Sequence, residues 1–204
     1  GNLGGAAATA GSASGGNGGA SAGAGGKSSG GASNGGAATA GGTGGSGGGG
    51  STGTYACNGS TAGYNVVMAK SGSTWTVTKG AQQLHTGSDM EAALRAAYDG
   101  LSSGRSSKES VLVQGSGDIS ASSQVSIPSY TVVNICGTLN VSGTPSGSDR
   151  SPLYARNARD IEIPNLKMTG SPQYGIFFRG TNNMYLGQID LRLTSSAGIG
   201  IRVD

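Results

Sequence analysis

Short runs of apolar residues recur through the second half of the chain, separated by Gly, Pro, Ser and Asn. Short runs bounded by turn-forming residues predict β-strands, because helices need longer amphipathic segments. No helical pattern interrupts the series. The runs lie at residues 111–113, 125–127, 130–141, 153–155, 161–168, 176–178, 184–193 and 199–203.

An offset of 23 residues superimposes the later runs on one another. It aligns Ile161 with Met184, Ile163 with Leu186, Leu166 with Ile189, Met168 with Leu191, Ile176 with Ile199, Phe178 with Ile201, and Asp160 with Asn183. In a parallel β-helix, neighbouring coils stack about 4.8 Å apart, so residue types repeat from coil to coil. A β-sandwich has no reason to keep this offset through its loops. The repeat predicts an all-β solenoid of the parallel β-helix type over residues 110–204.

Alternation within each strand predicts which side chains point into the solenoid. Ile161, Met184 and Ile199 belong to the inward set, and Tyr154 and Phe177 to the outward set. The same 23-residue offset places Arg156, Arg179 and Arg202 in one outward column. The predicted solenoid therefore has an apolar interior and a basic, aromatic stripe on its surface.

Residues 54–109 form a separate N-terminal region. Two β-rich runs, 65–70 and 74–79, flank Ser-Gly-Ser and predict a hairpin, in which Trp75 is expected to pack in the core rather than to contact sugar. Residues 88–99 predict a helix, because Ser-Asp-Met-Glu has the form of a capping box and Gly100 follows the last turn. Its apolar stripe suits a cap over the end of a solenoid.

Residues 1–53 consist almost entirely of Gly, Ala, Ser, Thr and Asn. Such a segment cannot bury a core, so it is predicted to be a disordered linker that tethers the folded part to another domain or to a cell surface. No signal peptide is visible, and the solenoid is expected to be a fragment that lacks its remaining coils. The formal net charge of +3 and the dispersed Lys and Arg make nucleic acid an unlikely partner. No apolar run is long enough for a membrane span.

Cys57 and Cys136 are the only two cysteines. Their separation excludes the paired spacing of a zinc site. One disulfide and two free thiols both remain open, and a secreted location favours the disulfide.

From Val111-Leu112-Val113-Gln114-Gly115 to Ile201-Arg202-Val203-Asp204, the sequence resembles the pectin-lyase-like right-handed β-helix proteins. The resemblance implies a right-handed parallel β-helix with an N-terminal capping helix. It also implies a secreted or cell-surface enzyme that degrades polysaccharides, often those containing uronic acids. Family members act by β-elimination with a basic residue and calcium, or by hydrolysis with paired carboxylates. No cofactor is evident from the residues themselves, and calcium is implied by the resemblance alone.

The catalytic residues stay unknown at this stage. The chain lacks the Asn-Thr-Asp, Asp-Asp and Gly-His-Gly motifs of polygalacturonases. Asp190 and Asp204 are the acids to consider, although surface charge is the simpler interpretation. Lys167, aligned with Asp190, is predicted to form an ion pair between coils. The leading hypothesis is a polysaccharide lyase or glycoside hydrolase, and the alternatives are a carbohydrate-binding or adhesin-like β-helix and a purely structural solenoid.

The column Arg156, Arg179 and Arg202, beside Tyr154 and Phe177, is the candidate substrate-binding site. Guanidinium groups grip carboxylates, while aromatic rings pack on sugar faces, so this surface is expected to bind an acidic polysaccharide. The alternative is that the arginines pair with neighbouring carboxylates such as Asp204.

Overall fold

The computed structural model describes residues 55–194 and 198–204. The predicted linker 1–53 lies outside the described residues. The elements are β1 (Val66–Ser71), β2 (Thr74–Lys79), β3 (Gln82–Gly87), α1 (Met90–Asp99), β4 (Glu109–Gln114), β5 (Gly117–Ser120), β6 (Gln124–Ser126), β7 (Thr131–Ile135), β8 (Thr138–Ser142), β9 (Ser151–Arg156), β10 (Arg159–Gly170), β11 (Tyr174–Arg179), β12 (Asn182–Leu193) and β13 (Ile199–Val203).

From β4 onward the strands form a parallel β-solenoid of about four turns, which confirms the predicted fold class. Three stacks of parallel strands run along it. The first contains β4, β7 and the first part of β10 and β12, and the second contains β5, β8 and the second part of the same two long strands. The third stack contains β6, β9, β11 and β13. Each turn of the chain therefore contributes one rung to every stack.

The pairing of β10 with β12 follows the predicted offset of 23 residues. Ile161 pairs with Met184, and Lys167 pairs with Asp190. Asp160 and Asn183, the second residues of these two strands, both adopt left-handed backbone conformations, with φ of 59° and 56°. The Asn183 side-chain amide donates a hydrogen bond to the Asp160 carboxylate. The predicted stacking of these two polar residues is thus confirmed, although they lie at the start of the strands and not in the turn between strands.

The pairing of β11 with β13 departs from the prediction by two residues. Ile176 pairs with Ile201, not Ile199, and Phe177 pairs with Arg202. Three residues connect β10 to β11, whereas five connect β12 to β13, so the last strand enters its rung two residues later. The predicted position of Arg202 over Arg179 is wrong for this reason. Because side chains alternate with a period of two, the shift leaves the inward face unchanged.

The solenoid interior is apolar, as the alternation predicts. Ile161, Ile163 and Ile176 are fully buried. In the last rung, Ile199 and Ile201 are 45% and 41% exposed, because no further rung among the described residues packs on them.

The N-terminal region caps the other end of the solenoid. β1, β2 and β3 form an antiparallel sheet, and β1 also pairs in parallel with β4, so this sheet continues the first stack. Trp75 is 1% exposed, which confirms its predicted place in the core. α1 begins after Asp89, whose carboxylate accepts a hydrogen bond from the Glu91 backbone amide at 2.8 Å, rather than after Ser88. Among the described residues, no helix has the length and apolarity needed to cross a membrane.

Candidate functional site

Residues 55–65 form a strap across the outer face of the first stack. A disulfide joins Cys57 of the strap to Cys136, just after β7. The side-chain amide of Asn134 donates to the Tyr64 hydroxyl at 2.6 Å and to the Tyr55 carbonyl at 3.2 Å. Asn165 donates to the same Tyr55 carbonyl at 2.7 Å and to the Asn134 side-chain oxygen at 2.8 Å. The strap is therefore fixed both covalently and by a partly buried network of side-chain amides.

An open groove of about 610 Å³ lies beside the disulfide. It runs across three successive rungs, where the first stack passes into the second. Its apolar lining comes from Ile135, Leu166, Ile189 and the disulfide, and its polar lining comes from Thr138, Asn165, Lys167, Gln188 and Asp190. Clefts of this size accommodate small ligands or short segments of polymers.

The charges of the groove are arranged differently from the prediction. Lys167 is exposed and pairs in the sheet with Asp190, yet no salt bridge joins these two side chains in the described part of the chain. The Asp190 carboxylate instead accepts from Arg192 Nε at 3.1 Å. The predicted ion pair between coils is therefore wrong. Because Arg192 neutralises Asp190, the groove carries one uncompensated positive charge, that of Lys167.

The predicted aromatic platform is not accessible. Tyr154, Tyr174 and Phe177 form a second apolar cluster, separate from the solenoid core. Phe177 is fully buried and Tyr154 is only 6% exposed. The Tyr174 and Phe177 ring centroids are 4.7 Å apart. These rings stabilise the outer face of the third stack, and neither Tyr154 nor Phe177 presents a face on which a sugar can pack.

Two of the three candidate arginines are held by carboxylates. Arg179 contacts Asp149 at 3.1 Å and Asp204 at 3.2 Å, and Arg202 contacts Asp204 at 2.9 Å. The hydrogen bond from Arg202, assisted by the one from Arg179 and opposed by desolvation, lowers the pKa of Asp204. Arg179 and Arg202 therefore pair with neighbouring carboxylates, which was the alternative to a substrate-binding role.

Arg156 differs from the other two arginines. It pairs in the sheet with Arg179, is exposed, and has no acidic partner within residues 55–194 and 198–204. A role for Arg156, Arg179 and Arg202 in substrate binding stays a prediction, but only Arg156 offers a guanidinium that no carboxylate compensates.

Both acids considered for hydrolysis, Asp190 and Asp204, are held by arginines. Asp190 lies in β12 and is paired with Arg192, whereas Asp204 follows β13 and is paired with two arginines. A general acid needs a raised pKa, and that of Asp204 is lowered. Nor does the described part of the chain contain a group of three or more His, Cys, Asp or Glu residues that could hold a metal ion. Calcium, which the family resemblance alone implies, stays a prediction.

Asn165 and Gln188 are the residues of the groove that sequence reasoning missed. They pair across β10 and β12 at the predicted 23-residue offset, so the signal was available as a column of amide side chains. The wall formed by the disulfide could not be found in this way, because it depends on the path of the strap.

In comparisons with family models, with curated proteins and with solved structures, nothing matches this chain.

Proposed function

We propose that this chain is an extracellular β-solenoid that binds an acidic polysaccharide through the groove beside Cys57 and Cys136. The observation that supports this most is the composition of the groove, where planar amide side chains flank an apolar strip and one uncompensated lysine. Residues of a polysaccharide repeat along its length, as rungs repeat along a solenoid. A groove that crosses several rungs therefore suits an extended polymer.

The chemistry of the lining argues for sugar. Gln188 is exposed and supplies amide donors and an acceptor that match sugar hydroxyls. Asn165 offers only its side-chain oxygen, because its amide group already donates to Tyr55 and Asn134. The half-buried Ile189 provides an apolar surface for the C–H face of a ring. Lys167 makes the groove favour acidic over neutral polysaccharides, because its ammonium group attracts the carboxylate of a uronic acid. The resemblance to pectin-lyase-like proteins agrees with such a ligand.

The disulfide supports an extracellular location. Disulfides persist in secreted and surface proteins and are rare in reducing compartments. In this proposal the Gly- and Ser-rich segment 1–53 tethers the solenoid to its surroundings, and that role is open to a deletion test.

The direct test is a calorimetric titration of the chain with polygalacturonate and with a neutral glucan. We expect tighter binding of polygalacturonate, weakened by added salt. Lys167→Gln should weaken binding of the acidic polymer by about tenfold, the effect expected for a lost charge-assisted hydrogen bond. Gln188→Ala should weaken binding of both polymers.

Arg159→Gln is the matched control, because Arg159 is an exposed cation that does not line the groove. If Lys167→Gln and Arg159→Gln lower the affinity equally, only the net charge matters and the groove is not the site. Equal affinity of the unaltered protein for both polymers would also refute the acidic preference.

A second candidate is β-elimination in the same groove, favoured by the proximity of Lys167 and Asp190 in adjacent strands without a salt bridge between them. In this reaction a base, for which Lys167 is the candidate, would take the proton from the carbon next to the uronate carboxylate. The bond from the adjacent carbon to the glycosidic oxygen would then break, and this oxygen would leave with the electron pair and take up a proton. The resulting carbon–carbon double bond absorbs ultraviolet light. Absorbance that rises with the unaltered protein but not with Lys167→Gln supports the lyase, and no rise with either leaves binding as the function.

A further inference from the structure

A second polar cleft of about 520 Å³ lies on another side of the molecule, where α1 meets the turn between β5 and β6. Its lining combines two arginines, one glutamate and several hydroxyl or amide side chains: Glu91, Arg95, Ser120, Ser122, Ser123, Gln124, Ser126 and Arg150. None of these residues lines the groove beside the disulfide.

One arginine of this cleft is neutralised by a carboxylate. Arg95 Nη2 contacts the Glu91 carboxylate at 2.6 Å and the Gln124 carbonyl at 2.8 Å. Glu91 also accepts a hydrogen bond from the Ser123 hydroxyl. The charges of Arg95 and Glu91 therefore cancel, and their positions are fixed.

The other arginine is held in place without being neutralised. Arg150 Nε donates to the Ser146 carbonyl at 3.0 Å, and the Arg150 backbone amide donates to Gln173 at 2.9 Å. The loop that precedes it is pinned to the β5–β6 turn, since the hydroxyls of Ser122 and Ser146 lie 2.9 Å apart. Among the residues that the structure describes, no carboxylate pairs with Arg150, and its two Nη groups have no hydrogen-bond partner. Its neighbour Asp149 is taken by Arg179.

We propose that this cleft is a second binding site, which takes a single carboxylated sugar residue. The two arginines and one glutamate leave one positive charge, which suits a monoanion. The Nη groups of Arg150 offer the fork that binds a carboxylate, and the hydroxyls of Ser120 and Ser126, both exposed, match the sugar hydroxyls. The cleft volume lies within the range of about 300–1,000 Å³ that is usual for small-molecule sites. The choice of ligand rests on the proposed function, whereas the location of the site does not.

The test uses the whole chain and monomeric galacturonate, followed by backbone amide chemical shifts in NMR. We expect saturable shifts in residues 120–126 and 146–150, which Arg150→Gln abolishes or weakens about tenfold. Arg150→Lys, which keeps the charge, should retain part of the affinity. Arg159→Gln removes one exposed cation elsewhere and should change nothing.

The outcomes separate this site from the groove. If polygalacturonate binding depends on Lys167 while galacturonate leaves residues 120–126 unshifted, the second site is refuted and the groove stands. If galacturonate shifts these residues in an Arg150-dependent way while Lys167→Gln has no effect on the polymer, the groove is refuted and the second site stands. Equal shifts in the unaltered protein and in Arg150→Gln would refute the role of Arg150.

Discussion

The Arg202 guanidinium lies over the Phe177 ring, with its central carbon 5.1 Å from the ring centroid. The Arg202 Nη1 group also donates to the Tyr174 hydroxyl at 2.8 Å, and its Nε donates to the Asp204 carboxylate at 2.9 Å. A cation that packs on an aromatic face and is hydrogen-bonded on its edge is held in one orientation. Tyr174, Phe177 and Arg202 are therefore packed together on the outer face of the third stack and leave no open aromatic surface.

This cluster predicts an acid-dependent contribution to stability. Because hydrogen bonds from Arg202 and Arg179 lower the pKa of Asp204 below its ordinary value of 3.8, the folded state favours the ionised form. The stabilisation is complete above the unfolded pKa and is lost as the pH falls through the lower folded pKa. We expect an NMR titration of the Asp204 carboxyl to give a midpoint below 3.8, and Arg202→Gln to raise that midpoint. A midpoint at or above 3.8 in the unaltered protein would contradict the contacts described.

Tyr98 predicts a stabilising substitution. Its hydroxyl is buried and has no hydrogen-bond partner among the described residues. A buried unsatisfied donor is unfavourable, so Tyr98→Phe should raise the free energy of unfolding by about 1 kcal/mol in urea denaturation. Tyr98→Leu is the control, because it removes the same hydroxyl but leaves a cavity and should destabilise.

The same residue gives a test at alkaline pH. Burial raises the pKa of Tyr98 above its ordinary value of 10.0, so the folded state keeps the proton. The stability linked to this proton is present below the unfolded pKa and declines as the pH rises through and above it. Tyr98→Phe should therefore lose less stability between pH 9 and 11 than the unaltered protein. Parallel decline of the two proteins would show that Tyr98 does not contribute.

Two paired isoleucines allow the contribution of an inner rung and of the last rung to the free energy of unfolding to be compared. Ile176 is fully buried, and its partner in the next rung, Ile201, is 41% exposed. Ile176→Ala should cost about 3 kcal/mol, because it leaves a cavity between packed rungs, and Ile201→Ala should cost about 1 kcal/mol. Urea denaturation of both variants checks this. Equal losses would mean that the last rung is covered as well as the inner one.

The 23-residue offset predicted the pairing of β10 with β12 because the turns that precede these strands have equal lengths. It failed for β13, since the loop before that strand is two residues longer. A shift of two residues keeps each side chain on the same face of the strand. The inward residues were therefore predicted correctly, whereas the position of Arg202 in the arginine column was not. The burial of Phe177 depends on Tyr154 and Tyr174 packing beside it, a tertiary contact that no pattern along one strand encodes.

The groove also depends on tertiary contacts that the sequence repeat does not encode. The amide column of Asn165 and Gln188 follows from the offset, but its neighbour Asn134 is covered by the strap, which has no counterpart in the repeat. The sequence left the pairing of Cys57 with Cys136 open, because two cysteines are compatible with either state. Only the folded path of residues 55–65 brings the two sulfur atoms together.

The disulfide itself gives the last prediction. Cys57 and Cys136 are 79 residues apart, so their bond closes a long loop in the unfolded chain. By the loop-closure relation such a bond is worth about 4.5 kcal/mol, and measured values for disulfides are typically about 2–4 kcal/mol. Replacing both cysteines by alanine should therefore lower the free energy of unfolding by about 2–4 kcal/mol, the range usually measured.

The loss should also be uneven across the molecule. Without the disulfide, the strap is held by hydrogen bonds such as those from Asn134 and Asn165 to the Tyr55 carbonyl, which open more readily than a covalent link. Amide hydrogen exchange should accelerate most in residues 55–65, less in β7 and least in the paired strands β10 and β12. Reduction of the unaltered protein should reproduce the exchange pattern of the double variant. Uniform acceleration throughout the solenoid would show that the disulfide acts on the whole fold, and unchanged exchange in residues 55–65 would show that the amide network alone holds the strap.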